Sequence, residues 1–175
     1  MSGAEGEIKY RWTAGARFIA NQIPRASVRT TLTYKFLPGL SAGIEYNPRA
    51  DEVNVIANWV ALYETEKRPA LILGTSSERI GTSEGQSFYA TVSKSLKRQI
   101  HLPIAPYVGI AYGTRVDGLR MIGGLNINFT QYLSSTVIFD GVQVHPLLNF
   151  NYDRHTVSFI LVKGRDPGIS YSISF

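Results

Sequence analysis

The sequence lacks several features that would point directly to a function. It contains no cysteine, which excludes disulfides, thiolate metal sites and cysteine nucleophiles together. No apolar run approaches the ~18 residues of a membrane-spanning helix. Basic residues outnumber acidic ones, for a net charge of +5, but they form no run and are spaced mostly at every second position. That spacing fits one face of a sheet better than a phosphate-binding helix, so we expect no nucleic-acid partner.

The length of the chain predicts one domain. Its 175 residues can form a full core, and no stretch has the composition of an interdomain linker. Residues 1–6 lack the charged, apolar and small-residue regions of a secretory signal. We therefore predict a flexible N-terminal lead at 1–6 and a single barrel domain at 7–175.

Alternation of apolar and polar side chains recurs along nearly the whole chain. Successive side chains of a strand point to opposite faces, so this period of two predicts strands with one apolar and one polar face. The sequence does not separate the two faces at 70–86 and 132–139. The predicted strands are 7–20, 25–36, 40–47, 53–63, 70–75, 88–96, 104–113, 119–129, 132–139, 144–152, 156–162 and 169–175.

These strands predict an all-β fold, a closed antiparallel barrel of about twelve strands in an up-and-down meander with short turns. An even number of antiparallel strands lets the first and last strands pair, which removes the sheet edges. The apolar face could meet lipid or form the core of a soluble β fold. Aromatic residues near strand ends favour lipid, as does the excess volume that a soluble barrel of this size would have to fill.

The C-terminal strand carries the most specific motif. Ile169, Tyr171, Ile173 and Phe175 share one face, and Phe175 ends the sequence. In this respect the chain resembles the bacterial outer-membrane β-barrels of the porin or small-channel type. The resemblance implies an outer-membrane location, contact with membrane lipid or detergent, and recognition of Phe175 by the outer-membrane assembly machinery. Unlike natural barrels of that class, this chain has short connections on both sides, which would also fit an engineered pore or a barrel inside a larger complex.

Basic residues dominate the faces that we assign to the lumen. Rings or ladders of Arg and Lys in a pore attract anions and repel cations, so we predict a channel for passive passage of ions or small solutes that favours anions. Alternatively, the arginines pair with Glu45, Glu64 and tyrosines and fill the interior, which would give a structural barrel with an occluded lumen. A soluble ligand-binding barrel is a third hypothesis. The predicted pore-lining residues are Arg11, Arg17, Arg25, Arg29, Lys35, Glu45, Asn58, Arg120, Asn126, Asn128 and Asn149.

The three histidines are the residues to consider for catalysis. His101 lies in a predicted turn, His145 lies among asparagines on its face, and His155 and Ser158 are placed on opposite faces of one strand. No set of His, Asp or Glu residues has the spacing of metal ligands. We therefore predict no enzymatic activity, no metal site and no cofactor.

Overall fold

The computed structural model describes residues 8–97 and 101–175, so the predicted lead at 1–6 and Glu7 lie outside the described residues. The elements within these two ranges include twelve β-strands and the short helix α1 (Pro24–Ser27). No helix in these two ranges is long and apolar enough to cross a membrane. The strands are β1 (Trp12–Ile19), β2 (Val28–Leu37), β3 (Leu40–Asn47), β4 (Glu52–Leu62), β5 (Ala70–Ser77), β6 (Gln86–Ser93), β7 (Ile104–Gly113), β8 (Gly118–Asn128), β9 (Leu133–Phe139), β10 (Val144–Tyr152), β11 (His155–Val162) and β12 (Asp166–Ser174).

The sheet closes on itself. Each strand pairs antiparallel with its neighbours in sequence, and β1 also pairs with β12. In that closing pair Thr13 lies opposite Ser174 and Ile19 lies opposite Gly168, so nearly the whole length of both strands is used. The ring leaves no free edge strand. The predicted fold, an all-β closed antiparallel barrel of twelve strands, is confirmed.

The connections lie at two rims. The ends of β1 and β12 nearest the chain termini lie at one rim, together with the β2–β3, β4–β5, β6–β7, β8–β9 and β10–β11 connections. We name this the terminal rim. The β1–β2 connection with α1, and the β3–β4, β5–β6, β7–β8, β9–β10 and β11–β12 connections, lie at the opposite end, the far rim.

The two faces of the sheet are inverted relative to a soluble protein. Large apolar or aromatic side chains are exposed on every strand except β5, with Met121 at 68 % and Leu119 at 65 %. Charged and polar side chains are buried inside, and Glu45 is completely buried. The buried hydrophobic residues of the described chain are Ile19, Ala26, Ile160 and Val162.

The register assigns the two segments whose phase the sequence leaves open. In β5, Gly74 lies opposite Asn58, and Ile72 lies opposite the buried Thr91, so these positions face the lumen. In β9, the buried Ser134 faces the lumen. Alternation along each strand then fixes the remaining positions.

The region around Arg25 corrects a prediction. The sequence predicts a strand from 25, but α1 forms there and β2 begins only after it. Pro24 occupies the first turn of the helix, where its missing N–H is not needed. The Ile23 carbonyl accepts hydrogen bonds from the amides of Ala26 and Ser27, which closes the turn. Arg25 therefore enters the barrel from a connection and not from a strand face.

Candidate functional site in the barrel interior

The β5–β6 connection, residues 78–85, folds into the barrel, and we name it the inward segment. β5 and β11 stand opposite each other in the ring of twelve strands. Ile80 of this segment nevertheless packs against Ile160 and Val162 of β11 and Ile19 of β1. These three residues form a buried apolar cluster in the half of the barrel next to the far rim, which we name the far half; the half next to the terminal rim is the terminal half. The inward segment therefore crosses the lumen and narrows it near the far rim.

Arg25 fastens the inward segment. Its Nη2 donates to the carbonyls of Glu78 and Arg79, each at 2.9 Å, and to the Thr82 hydroxyl at 2.5 Å. Its Nε donates to the Thr82 carbonyl at 2.8 Å and lies 3.7 Å from a Glu52 carboxylate oxygen. A guanidinium group has five N–H donors in a planar fork, so one side chain can hold several acceptors at once.

Two carboxylates also fix the inward segment, that of Glu52 from β4 and that of Glu78 from the segment itself. The Gly85 amide donates to Glu52 Oε1 at 3.0 Å, and the Arg115 amide donates to Glu78 Oε2 at 2.8 Å. Gly85 has a φ of +118°, and a Cβ there would lie 2.6 Å from Glu78 Oε2. Glycine at 85 thus permits both the backbone conformation and the close approach of the carboxylate.

Burial and neighbouring carboxylates have opposite effects on the pKa of Arg25. Loss of solvent lowers the pKa of the Arg25 guanidinium, whereas Glu52, Glu45 and Glu78 act to raise it. Arg25 is only 3 % exposed. A charge so deeply buried is tolerated only when it is paired and hydrogen-bonded. Arg25 has both, because Glu52 pairs with it and the carbonyls of the inward segment accept its hydrogen bonds.

Arg17 and Arg29 lie directly opposite each other on β1 and β2. Like charges at opposed positions destabilise an antiparallel pair unless they are neutralised. Arg29 is neutralised, because its Nε lies 3.0 Å from the buried Glu45 carboxylate, which also accepts from the Asn47 amide group at 3.1 Å. Arg17 differs, since its Nε is buried without a hydrogen-bond partner among the described residues.

His145 and Asp140 form a second polar group at the far rim. The backbone amide of Lys163 donates to His145 Nδ1 at 3.1 Å. His145 Nε2 therefore carries the proton and donates to the Asp140 carboxylate at 2.9 Å. With both ring nitrogens engaged, this imidazole is not free to act as a base or to bind a metal. No cluster of metal ligands is found in the part of the chain that the structure describes.

Asp140 also closes the β9–β10 turn. Its Oδ1 accepts from the amides of Val142 at 2.9 Å and Gln143 at 2.8 Å. Burial raises the pKa of Asp140, but the hydrogen bonds from His145, Gln143 and Val142 together outweigh burial and leave the pKa below its ordinary value. The carboxylate is therefore ionised at neutral pH.

Two cavities follow each other along the lumen. The larger, about 440 Å³, lies beside the inward segment, and the smaller, about 270 Å³, lies against β2–β6 and shares Arg29 and Ser76 with it. The cationic lining of the larger cavity consists of Arg17, Arg25, Arg29 and Arg79. Its apolar lining includes Ala26, Ile80, Ile138, Leu147 and Ile160.

Tyrosines narrow the lumen between the two halves. Tyr89 reaches across β5 and donates to Asn58 Oδ1 at 3.3 Å. Its ring lies where a Cβ at Gly74 would be, and Tyr107 lies over Gly124 in the same way. Glycine at these two positions lets each ring lie flat against the wall.

Ten of the eleven predicted pore-lining residues fall into three groups. Arg17, Arg25, Arg29, Glu45 and Arg120 lie inside the far half. Asn58, Asn126 and Asn149 point into the lumen nearer the terminal rim, where the amides of Asn126 and Asn149 donate to the Thr136 hydroxyl at 3.0 and 3.1 Å. Lys35 and Asn128 are exposed near the terminal rim.

Arg11 is a wrong prediction. It precedes β1, it is exposed, and its guanidinium lies 6.0 Å from the outward-facing Tyr34 ring. Its Nη1 donates to the carbonyls of Lys35 and Phe36 at 3.3 and 3.4 Å. The first strand is shorter than predicted and begins at Trp12, so Arg11 lies at the rim instead of lining the lumen.

Sequence reasoning missed the charged residues that connections bring into the barrel. Glu78 and Arg79 come from the inward segment, and Asp140 comes from a turn. Segments rich in turn residues are normally expected at the surface, so the sequence gives no reason to place these side chains in the lumen. One signal was present in the sequence, because Pro24 before Arg25 marks a break in the strand pattern.

No protein-family model matches the sequence. The resemblance to porin-type barrels therefore stays a prediction, whereas the closed barrel of twelve antiparallel strands is a property of the structure. Function has to be inferred from the geometry and charge of the barrel itself.

Proposed function

We propose that this protein is a bacterial outer-membrane barrel whose lumen passes small anions and is constricted at the far rim by the inward segment. The observation that carries the proposal is the inverted burial, with large apolar side chains exposed outside and charges buried inside. Monomeric soluble proteins rarely expose contiguous apolar patches larger than a few hundred Å². Contact with lipid removes the free-energy cost of exposing that apolar surface to water. A closed sheet also leaves no unpaired backbone edge in hydrocarbon.

Aromatic residues near both rims support the placement in a membrane. Trp12, Tyr34 and Phe36 pack edge to face near the terminal rim, with successive ring centroids 4.9 Å apart. Near the far rim the hydroxyls of Tyr46 and Tyr112 donate to carboxylates of the adjacent turns. Aromatic rings with a polar end favour the boundary between lipid and water. Exposed aliphatic side chains between the belts are Leu32, Ile44, Val55, Ile110, Met121 and Leu148.

The anion preference follows from which charges are already paired. Glu45 is paired with Arg29, and Asp166 accepts from Gln22 at 2.8 Å and lies 3.3 Å from Arg165. The Asp140 carboxylate is occupied by hydrogen bonds from the neutral His145 and from two turn amides. The wall of the larger cavity therefore presents the positive charge of Arg17, whose Nε has no hydrogen-bond partner among the described residues. Unpaired arginines in a pore favour anions over cations.

Membrane insertion can be tested with the two tryptophans of the chain, Trp12 and Trp59, which are 42 % and 50 % exposed on the outer face. We expect brominated phosphatidylcholine vesicles to quench the fluorescence of both W12F and W59F variants, because each leaves one tryptophan beside lipid. Acrylamide dissolved in water should quench Trp59 weakly. Strong acrylamide quenching with no effect of brominated lipid would contradict the proposal.

Conduction can be tested in a planar bilayer. We expect a small conductance whose reversal potential in a KCl gradient shows chloride preference, and that preference should weaken as salt shortens the Debye length below about 10 Å. R17Q should reduce the preference, whereas R11Q, at the rim, should not. A cation-selective pore would contradict the assignment.

The inward segment favours a second candidate, a structural barrel with an occluded lumen. Arg25 and Ile80 hold this segment across the opening with both polar and apolar contacts. Replacing residues 79–84 with a short Gly-Ser link should open the lumen in either case. The conductance of the wild type then separates the two candidates. If the shortened variant conducts and the wild type does not, the occluded barrel is favoured; if both conduct, the pore is favoured.

A further inference from the structure

Two arginines beside the larger cavity have no hydrogen-bond partner for a buried N–H. Arg17 projects from the wall, and Arg79 projects from the inward segment. The Nε atoms of both are buried and unpaired in the described part of the chain. Buried donors are almost always satisfied in folded proteins, so these two N–H groups require an acceptor within the cavity.

The acids near this cavity do not supply that acceptor. The Glu45 carboxylate lies against Arg29, and Glu78 Oε2 is bound by the Arg115 amide. Asp140 accepts from His145 and from two turn amides. Glu45 Oε2 also has no hydrogen-bond partner among the described residues, but neither Arg17 Nε nor Arg79 Nε donates to it. We therefore assign the acceptor to a group from outside the chain, and guanidinium groups bind oxyanions best because two N–H groups can meet two oxygens.

Part of the cavity lining is apolar. Ile80, Ile138, Leu147 and Ile160 lie on it, and Ile80 and Leu147 pack against the buried cluster of the far half. A volume of about 440 Å³ falls within the range of small-molecule sites, about 300–1,000 Å³. An inorganic ion would leave this apolar wall uncovered, whereas a ligand with a short hydrocarbon body would cover it.

We propose that the larger cavity is a binding site for an organic oxyanion with a short apolar body, such as a small carboxylic acid. Its charged head binds Arg17 and Arg79, and its body lies against the isoleucines of the far half. The inference rests on the proposed function, because it names the solute class that an anion-favouring lumen would hold. A bound anion would also link the inward segment to the wall of β1.

Binding of hexanoate to the refolded barrel in non-ionic detergent tests the site by calorimetry, with the heat of titration into detergent alone subtracted. We expect hexanoate to bind more tightly than acetate, which lacks the body, and than hexan-1-ol, which lacks the charge. R17Q and R79Q should each weaken hexanoate binding by about ten-fold or more, because each removes a charged hydrogen-bond donor. R11Q is the matched control and should bind as the wild type does.

Several outcomes would overturn the site. Hexan-1-ol binding as tightly as hexanoate would leave only an apolar cavity, and acetate binding equally well would leave only an ion site. Unchanged affinity in R17Q and R79Q would place the ligand elsewhere. Heat-modifiable gel mobility identifies folded variants, and R79Q, on a connection, provides an answer even if R17Q fails to fold.

Failure of the site and failure of the pore give different results. A barrel that binds hexanoate but never conducts would contradict the pore and support the site. A chloride-preferring pore without hexanoate binding would contradict the site alone. If the barrel binds hexanoate without conducting, a rise in its thermal unfolding midpoint with hexanoate would confirm that the ligand binds the folded barrel.

Discussion

The far half and the terminal half of the barrel enclose one lumen in different ways. In the far half, charged side chains from walls and connections are buried against each other, as Arg25, Glu52 and Glu78 are around the inward segment. Towards the terminal rim, neutral groups pair with neighbours across strands, as in the contact of Thr13 with Ser174 at 2.9 Å.

This difference indicates that the buried charges of the far half hold the inward segment in the lumen. Neutral hydroxyls and amides satisfy polar positions on a wall that strand pairing already fixes. A connection that enters the lumen has no such ladder to fix it, so several strong contacts to one cation and two carboxylates hold it in place. Charged hydrogen bonds are roughly twice as strong as neutral ones, which suits them to that task.

The largest effect is expected from removal of the cation that holds the inward segment. R25A leaves the carbonyls of Glu78, Arg79 and Thr82 without the guanidinium donor and Glu52 without its cationic partner. We expect a loss of about 3–5 kcal/mol in unfolding free energy, measured by urea unfolding of the refolded protein. R11A removes an exposed arginine and should cost little. An equal loss of unfolding free energy in R25A and R11A would contradict the conclusion that Arg25 holds the inward segment in place.

A smaller effect is expected where the two halves meet. A methyl group at Gly74 would collide with the Tyr89 ring and lie 2.6 Å from the Ala57 carbonyl oxygen. We expect G74A to destabilise the barrel by about 1–3 kcal/mol, the usual cost of overpacking. G118A is the control, because its nearest neighbour, the Val116 carbonyl, lies 3.8 Å away. Thermal midpoints of both variants measure the difference.

The polar group of Asp140 predicts a pH dependence for the far half. Its folded pKa is depressed, so its contribution to stability is present above the unfolded value of about 3.9 and is lost as pH falls through the folded pKa. We expect D140N to lower stability at pH 7 and to flatten the acid-side loss below about pH 4. D117N, in another far-rim turn, is the control. An unchanged acid profile in D140N would contradict the assignment.

The smallest effect is expected at the terminal rim. Lys9 Nζ lies 3.3 Å from Asp153 Oδ1, and both side chains are more than half exposed, at 73 % and 52 %. Solvent screens such a pair, so K9A should leave the unfolding midpoint unchanged within error. A clear loss of stability in K9A would show that the terminal rim also depends on ion pairs.

The strand pattern could be predicted because it depends on local sequence. Period-two alternation identifies each strand and its lumen face, and the inward positions of Arg29, Asn58 and Asn126 agree with that alternation. The pairing of Arg29 with Glu45 belongs to the hypothesis that arginines fill the interior. Both residues are on adjacent strands, which makes such a pair visible in the sequence.

The contacts of connections could not be predicted in this way. Arg25 and Thr82 are 57 residues apart, and no periodicity relates them. A turn signal gives the position of a connection but not whether it extends into water or folds into the lumen. That choice depends on which partners the closed ring places within reach.

The sequence by itself determined a ring of antiparallel strands with an apolar and a polar face, because alternation and an even strand number are properties of the chain. Tertiary structure alone decided that residues 78–85 cross the lumen and that Arg17 Nε has no hydrogen-bond partner in the part of the chain that the structure describes. The physical reason is that closure of the barrel brings residues distant in sequence together in a small volume, where the groups within reach of each other, and not the local sequence, decide which charges are paired.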